Sequence, residues 1–308
     1  MTTRTMGPAS GWRWLMNAVN LGGGNPGAVL GGAALLMLVG LVPSVLQLLV
    51  QNVLGMASQG IAVALMLLSV LYTLAVMGPL FVGYLRVLQA SETGAPTRAS
   101  AIFDVFSDRQ AVVRVACMLL GLLGIGLLLF GVVAALLGGG FFEELLAIMQ
   151  ALEEAEATGA PPALPPMPSG FGTLMALAFI IGVFFNGVYA LALGQVALGN
   201  RGAGGALADG LVGALRNVLP LLVLTVVGVV AGIVLLLVVG LVIALLVGIG
   251  SLVSPVVGMA LAVPVYLVAM VVLYVVMFGV AYYMWRDVCG GGTDGPAGDQ
   301  GGNGQVAA

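Results

Sequence analysis

The sequence predicts an all-α fold: a polytopic transmembrane bundle of six spans with short interfacial amphipathic helices, one domain over residues 1–288. Three observations predict it. Of 308 residues, 61% are hydrophobic and only 7% charged, with a mean hydropathy of +1.19. A water-soluble domain carries about 25% charged residues, so the solvent for most of this chain is lipid. Six apolar stretches can each cross a hydrocarbon core about 30 Å thick, at about 1.5 Å of rise per helical residue. All nine basic residues fall on one side of those six stretches.

The spans are residues 28–50, 61–89, 111–137, 171–198, 218–248 and 256–285. Pro79 and Pro264 fall inside the second and sixth, where a missing N–H kinks a helix. Pro220 opens the fifth, where the missing N–H has no intrahelical partner to lose. Residues 218–285 are uncharged for 68 positions, long enough for three crossings. Two long tilted helices are preferred, joined by the Gly-Ile-Gly-Ser-Leu-Val-Ser-Pro turn at 248–255.

Charge orients the bundle. With six spans, Arg4, Arg13, Arg86, Arg98, Arg109, Arg114, Arg201, Arg216 and Arg286 lie on one side, and none lies on the other. Translocation resists positive charge, so that side and both termini are expected in the cytoplasm of a bacterial inner membrane. The N-terminus is polar as far as Gly27 and then enters a full-length span, so no cleavable signal peptide is expected. Arg without a single Lys, beside abundant Gly, Ala and Val, reads as the bias of a GC-rich bacterial genome.

The opposite side carries one sizeable loop, residues 138–170, with Glu143, Glu144, Glu153, Glu154 and Glu156. Its first half is predicted amphipathic, with Phe141, Phe142, Leu145, Ile148, Met149 and Leu152 on one face. Its second half holds Pro161, Pro162, Pro165, Pro166 and Pro168 and reads as a stiff polyproline-like connector. Three further segments look interfacial. Near the N-terminus, Trp12, Leu15, Met16 and Val19 share a face beside Arg13, Asn17 and Asn20. In 99–114, Ile102, Phe103, Phe106 and Val113 face one way and Asp104, Ser107 and Asp108 the other. In 203–217, Leu207, Leu211, Leu215 and Val218 line a face. The last two segments have the same layout, an Arg-containing turn (Arg98, Arg201) and a helix with a central Asp (Asp104, Asp209), and read as a loose repeat. Residues 289–308 are Gly-rich, polar and expected to be disordered.

The Gly-Trp-Arg-Trp run at 11–14, Gly-Pro-Leu-Phe-Val-Gly at 78–83 and Leu-Arg-Asn-Val-Leu-Pro at 215–220 together resemble a loose group of uncharacterised bacterial six-span inner-membrane proteins, the YciC-type and related families. Those begin their fifth span with Arg-Asn-aromatic-x-Pro; here Val218 and Leu219 replace the aromatic. The resemblance covers the layout of most of residues 10–288 and only short patches in identity. It implies no catalytic residue and no substrate.

Little in the chain can carry chemistry. There is no His, the commonest metal ligand and acid-base group, and Cys117 and Cys289 stand far apart as isolated thiols. No span has an ionisable residue at its core, which argues against a proton relay; Arg86 and Arg114 sit near span ends and can snorkel. Asn186, with Tyr189 one turn on, is the candidate mid-membrane polar pair. It would either face a cavity or form an interhelical hydrogen bond of about 0.6 kcal/mol. Gly27/Gly31, Gly228/Gly232 and Ala190/Gly194 are small-xxx-small pairs for close helix contact, and Gly121, Gly124, Gly126 and Gly131 thin the third span. Gly22–Gly24 and Gly202–Gly205 lack the Lys and preceding strand of a phosphate loop and read as hinges.

The reading that follows is a non-enzymatic structural or partner-binding membrane component without a cofactor. The alternative is a permease for an apolar or amphipathic solute, and no nucleophile-base pair supports an enzyme. The expected partners are the lipid bilayer, anionic lipids and other proteins, not nucleic acid. Both Arg-flanked links are expected along the inner leaflet, where Arg86, Arg98, Arg109, Arg114, Arg201 and Arg216 would set topology and gather anionic lipid. The competing arrangement folds both links under the bundle against protein.

Overall fold

A computed structural model describes residues 3–54, 59–158, 167–168 and 170–290, and these contain helices and no strand. Of the expected tail, Cys289 and Gly290 are described, with Cys289 buried against the bundle instead of disordered; the rest of the tail and most of the proline-rich connector lie outside the described residues. Six helical stretches are long and apolar enough to cross a membrane: Pro26–Val53, Gly60–Glu92, Arg109–Leu136, Phe171–Ala197, Val218–Ser251 and Pro255–Val288. They match the predicted spans to within a few residues at each end. Residues 218–285 adopt the preferred two-helix form. Gly250 and Gly258 let the helices cross at backbone contact, and Ser254 caps the second by accepting from the Val257 N–H at 3.2 Å.

The first span is two helices, α2 (Pro26–Gly40) and α3 (Val42–Leu54), broken at Leu41. This break is not among the kinks expected from the sequence. Pro43 is the cause, because it cannot donate to the Val39 carbonyl four residues back. The Tyr72 hydroxyl donates to that carbonyl instead, at 2.7 Å. The second span is α4 (Gln59–Tyr72), a π turn (Thr73–Met77) and α5 (Gly78–Glu92). As predicted, Pro79 disturbs it, and the disturbance takes the form of a widened turn just before the ring.

α6 (Arg109–Leu137) is followed, after Gly138 at a φ of 77°, by α7 (Gly139–Thr158). α7 is the amphipathic helix expected in the loop, with Phe141 buried and Met149 and Leu152 exposed. Then come α8 (Phe171–Ala197), α9 (Ala203–Arg216), α10 (Val218–Ser251) and α11 (Pro255–Val288), the last running through Pro264 unbroken. Before α2 lies the short α1 (Ser10–Val19).

The main core cluster among the described residues occupies one half of the bundle. Buried side chains gather where the spans meet the Arg-bearing links: Trp14, Leu36, Tyr84, Leu88, Met118, Leu191 and Trp285 among them. Toward the other end the same helices expose their Leu, Val and Ile, as lipid-facing helices do. The glycines sort the same way. Gly194 lies against the Trp285 side chain and Gly121 against Leu207, whereas Gly228, Gly232, Gly124 and Gly131 face open space. The predicted Gly228/Gly232 contact is therefore not made among the described residues.

Two links depart from the sequence expectation. Residues 99–114 are not one amphipathic α-helix: a 3₁₀ helix spans Ala99–Ser107, and Asp108 ends it. The Asp108 carboxylate accepts from the Ala111 N–H at 3.0 Å and caps α6. A 3₁₀ helix repeats every three residues, so Ile102 and Val105 face the protein while Phe103 and Phe106, 39% and 42% exposed, face outward. A 3.6-residue period groups Ile102 with the two phenylalanines, and the tighter helix separates them. In α9, the small residues Ala206, Gly210, Gly213 and Ala214 are buried and Leu215 is exposed. Without side chains between them the α9 and α8 backbones come close: a Cβ on Gly210 would sit 2.8 Å from the Val188 carbonyl oxygen. A 3₁₀ helix in one link and an α-helix in the other leave the loose repeat as a similarity of layout.

Candidate functional site

At the Arg-bearing end, polar side chains tie successive elements together. Gln195, in the last turns of α8, is fully buried; its amide donates to the Asp209 carboxylate at 2.7 Å, and its carbonyl accepts from the Trp285 indole at 3.3 Å. Arg201 completes the group with a 3.0 Å ion pair to Asp209, which holds the guanidinium pKa above its ordinary value. α8, α9 and α11 are thus joined through the Gln195 side chain, whose two ends reach Asp209 and Trp285. Cys289 is buried beside this group; burial first, and the Asp209 charge second, push its thiol up to about 12, so the thiolate is suppressed.

A second group holds the N-terminal segment. Asn217, buried between α9 and α10, accepts from the Met6 N–H at 2.7 Å and donates to the Arg4 and Gly213 carbonyls at 2.9 and 2.8 Å. Arg216 donates to the Thr3 carbonyl at 3.0 Å, and the Arg4 N–H donates to the Val288 carbonyl at 2.9 Å. Two further bonds bind the end of α11: the Trp14 indole donates to Asp287 at 2.9 Å, and the Tyr283 hydroxyl to Glu92 at 2.6 Å. Arg286 stacks 4.6 Å from the Tyr283 ring centroid.

The six arginines singled out from the sequence divide. Arg86 pairs with Asp108 at 2.9 Å and donates to the Ala197 carbonyl at the end of α8 at 3.1 Å. The cap from Ala111, followed by Arg86, holds the Asp108 carboxyl below the usual carboxylate range. Arg114 bonds Asn200 and Gln110, Arg201 bonds Asp209, and Arg216 bonds Thr3. The exposed guanidiniums of Arg98 and Arg109 have no hydrogen bond or ion pair among the described residues.

Asn186 and Tyr189 are not brought together around a cavity. Tyr189 packs against the core, while Asn186 is exposed and makes no hydrogen bond among the described residues. Asn186 instead ends an outward stripe of α8 that includes Met175, Phe179 and Gly182, spaced four, three and four residues apart. Nothing lies within 4 Å of where a Gly182 Cβ would stand. A groove of about 310 Å³ along α2 and α3 is lined by six aliphatic side chains, Leu38, Leu41, Val42, Val45, Leu46 and Leu49, and presents no polar side chain.

Gln195, Asn217, Asp209, Asp287 and Glu92 are not candidates from the sequence. Gln195 and Asn217 carry a signal, being polar amides at span ends beside Arg, but their partners lie up to 213 residues away in the chain. No group of three or more His, Cys, Asp or Glu side chains stands together as metal ligands among the described residues. The polar chemistry here serves to close the bundle. No protein-family model, curated protein or solved structure matches the chain.

Proposed function

We propose that the chain is a non-enzymatic, multi-pass component of a bacterial inner membrane that docks another membrane-spanning helix on the outward stripe of α8. The observation that carries this reading is Asn186: an exposed amide near the middle of a span, without a hydrogen bond among the described residues. Lipid tails supply neither donor nor acceptor, and a small residue beside a polar amide is the pairing that membrane helices use to associate. Gly182, one turn before Asn186, supplies the small residue and open space for a second backbone. The closely packed Arg-side half, where the buried Gln195 and Asn217 side chains spend their polar atoms on bonds within the chain, favours a scaffold over a solute path. The resemblance to YciC-type proteins agrees with this reading and adds no site to it.

Asn186→Leu and Gly182→Leu are expected to insert and fold like the parent yet weaken association in native membranes. A bidentate amide contact and close backbone packing are together worth about 1–2 kcal/mol, or on the order of a tenfold loss in energy transfer or cross-linking yield at limiting concentration. Unchanged association would sink the docking reading. Asn186→Cys should also resist water-soluble maleimide from both sides; rapid modification would favour the permease instead. The positive-inside rule places the Arg side and both termini in the cytoplasm. Reporter fusions near residues 95, 205 and 295 should then read as cytoplasmic and one near 155 as periplasmic; the reverse pattern would overturn the orientation.

A further inference from the structure

Three elements at the Arg-bearing end share a design that the docking reading does not use. The 3₁₀ helix has three faces: Ile102 and Val105 point into the protein, Phe103 and Phe106 point outward, and Asp104 and Ser107 occupy the remaining edge. In α1, Trp14 and Ala18 are buried, Trp12 and Val19 are 49% and 57% exposed, and Arg13, Asn17 and Asn20 form the polar edge. In α9, Ala206, Gly210 and Gly213 are buried while Val212 and Leu215 are exposed.

The three lie on different sides of the bundle. α1 packs on α10 and α11, the 3₁₀ helix on α2 and α5, and α9 on α8 and α6. Each adjoins the ends of spans, so each sits where helices leave the hydrocarbon. A protein partner would cover one side; a leaflet touches all three. Arg98 and Arg109, the two of the six arginines without a bond among the described residues, flank the two ends of the 3₁₀ helix.

We propose that α1, the 3₁₀ helix and α9 form a lipid-seating collar. Their outward apolar side chains enter the headgroup–acyl boundary of one leaflet, and Arg98 and Arg109 bind the phosphates of anionic headgroups. Aromatic rings beside arginine suit that boundary, and negative headgroups attract unpaired cations within a Debye length. Arg86, Arg114, Arg201 and Arg216, bonded within the chain, shape the fold and contribute less to lipid choice.

The test uses the full chain in nanodiscs of mixed phosphatidylcholine and phosphatidylglycerol, with Cys117 and Cys289 replaced by Ala. Nitroxide labels at Phe103, Phe106, Val212 and Leu215 should be more accessible to oxygen than to a water-soluble nickel complex. Labels at Asp104 and Ser107, on the same element as Phe103, should show the opposite order. Immobilised labels at Phe103 and Phe106 shielded from both reagents would mean a protein cover and overturn the collar, as would free access of nickel to them. Selectivity for phosphatidylglycerol next to the protein should fall on the order of fivefold per arginine in Arg98→Gln and Arg109→Gln, and remain in Arg201→Gln. Equal losses in all three variants would overturn the assignment to Arg98 and Arg109.

Discussion

Gly83→Ala is expected to destabilise the Arg-side half of the bundle by about 2 kcal/mol or more, the upper part of the range for overpacking a closed core. In an unpacked helix the same change stabilises by about 1 kcal/mol, because glycine is the poorer helix former. The sign is therefore diagnostic. At Gly83 the α5 backbone lies directly against the 3₁₀ helix: an alanine Cβ would stand 2.9 Å from the Ile102 carbonyl carbon and 3.1 Å from its Cα, in collision with the carbonyl oxygen. Those are backbone atoms, and no rotamer change relieves the clash. The 3₁₀ helix must lift, taking the buried Ile102 and Val105 out of the core. A lower melting temperature in detergent, with faster hydrogen exchange over residues 99–107, is the expected readout. Gly228→Ala is the control, since nothing lies within 4 Å of that position; it should be neutral or slightly stabilising. A Gly83→Ala protein as stable as the control would show that the 3₁₀ helix is not seated on α5.

Asn217→Leu should release the N-terminal segment. One side chain, 1% exposed, holds the Met6 N–H, the Arg4 carbonyl and the Gly213 carbonyl. Leucine has the same branching of heavy atoms, is bulkier, and pairs with none of them. Each buried group left unpaired costs about 1–3 kcal/mol, but the segment can swing out to water, so a net loss of about 2–4 kcal/mol is expected. Detachment should speed exchange at the Arg4 and Met6 amides and free the Val288 carbonyl that Arg4 caps. Asn217→Asp keeps the acceptor for Met6 and loses both donors, so it should fall between the parent and the leucine variant. Parent-like exchange at Arg4 and Met6 in the leucine variant would refute the anchoring role. Arg216 and Asn217 are consecutive residues at the junction of α9 and α10. Their bonds give that dipeptide a physical role, since they fasten the chain's beginning to the start of α10.

The two link segments show what periodicity can and cannot deliver. Residues 99–114 and 203–217 are apolar enough to be recognised as amphipathic, and both sit at the ends of spans as expected. Which face turns inward depends on facts absent from local sequence. In the first, Asp108 acts as an N-cap and leaves the preceding nine residues in a 3₁₀ helix, shifting the phase by which Ile102 and Phe103 part company. In the second, close backbone contact beats leucine burial, because small residues gain most where lipid removes the hydrophobic drive between helices. Asn186 illustrates the same limit: its depth follows from counting residues, its outward direction does not.

The sequence by itself located the apolar spans, favoured two helices over three at residues 218–285 and, with six spans, gathered every arginine on one side. These follow from length, hydropathy and charge, which act on each segment alone through the energy of placing it in lipid. Only the tertiary structure decided that the main core cluster occupies one half of the bundle, that four of six arginines are bonded internally, and that Gln195 and Asn217 join elements from both ends of the chain. Those outcomes rest on which surfaces meet: hydrogen bonds and close packing act at short range between residues far apart in sequence, and no local pattern records the partner.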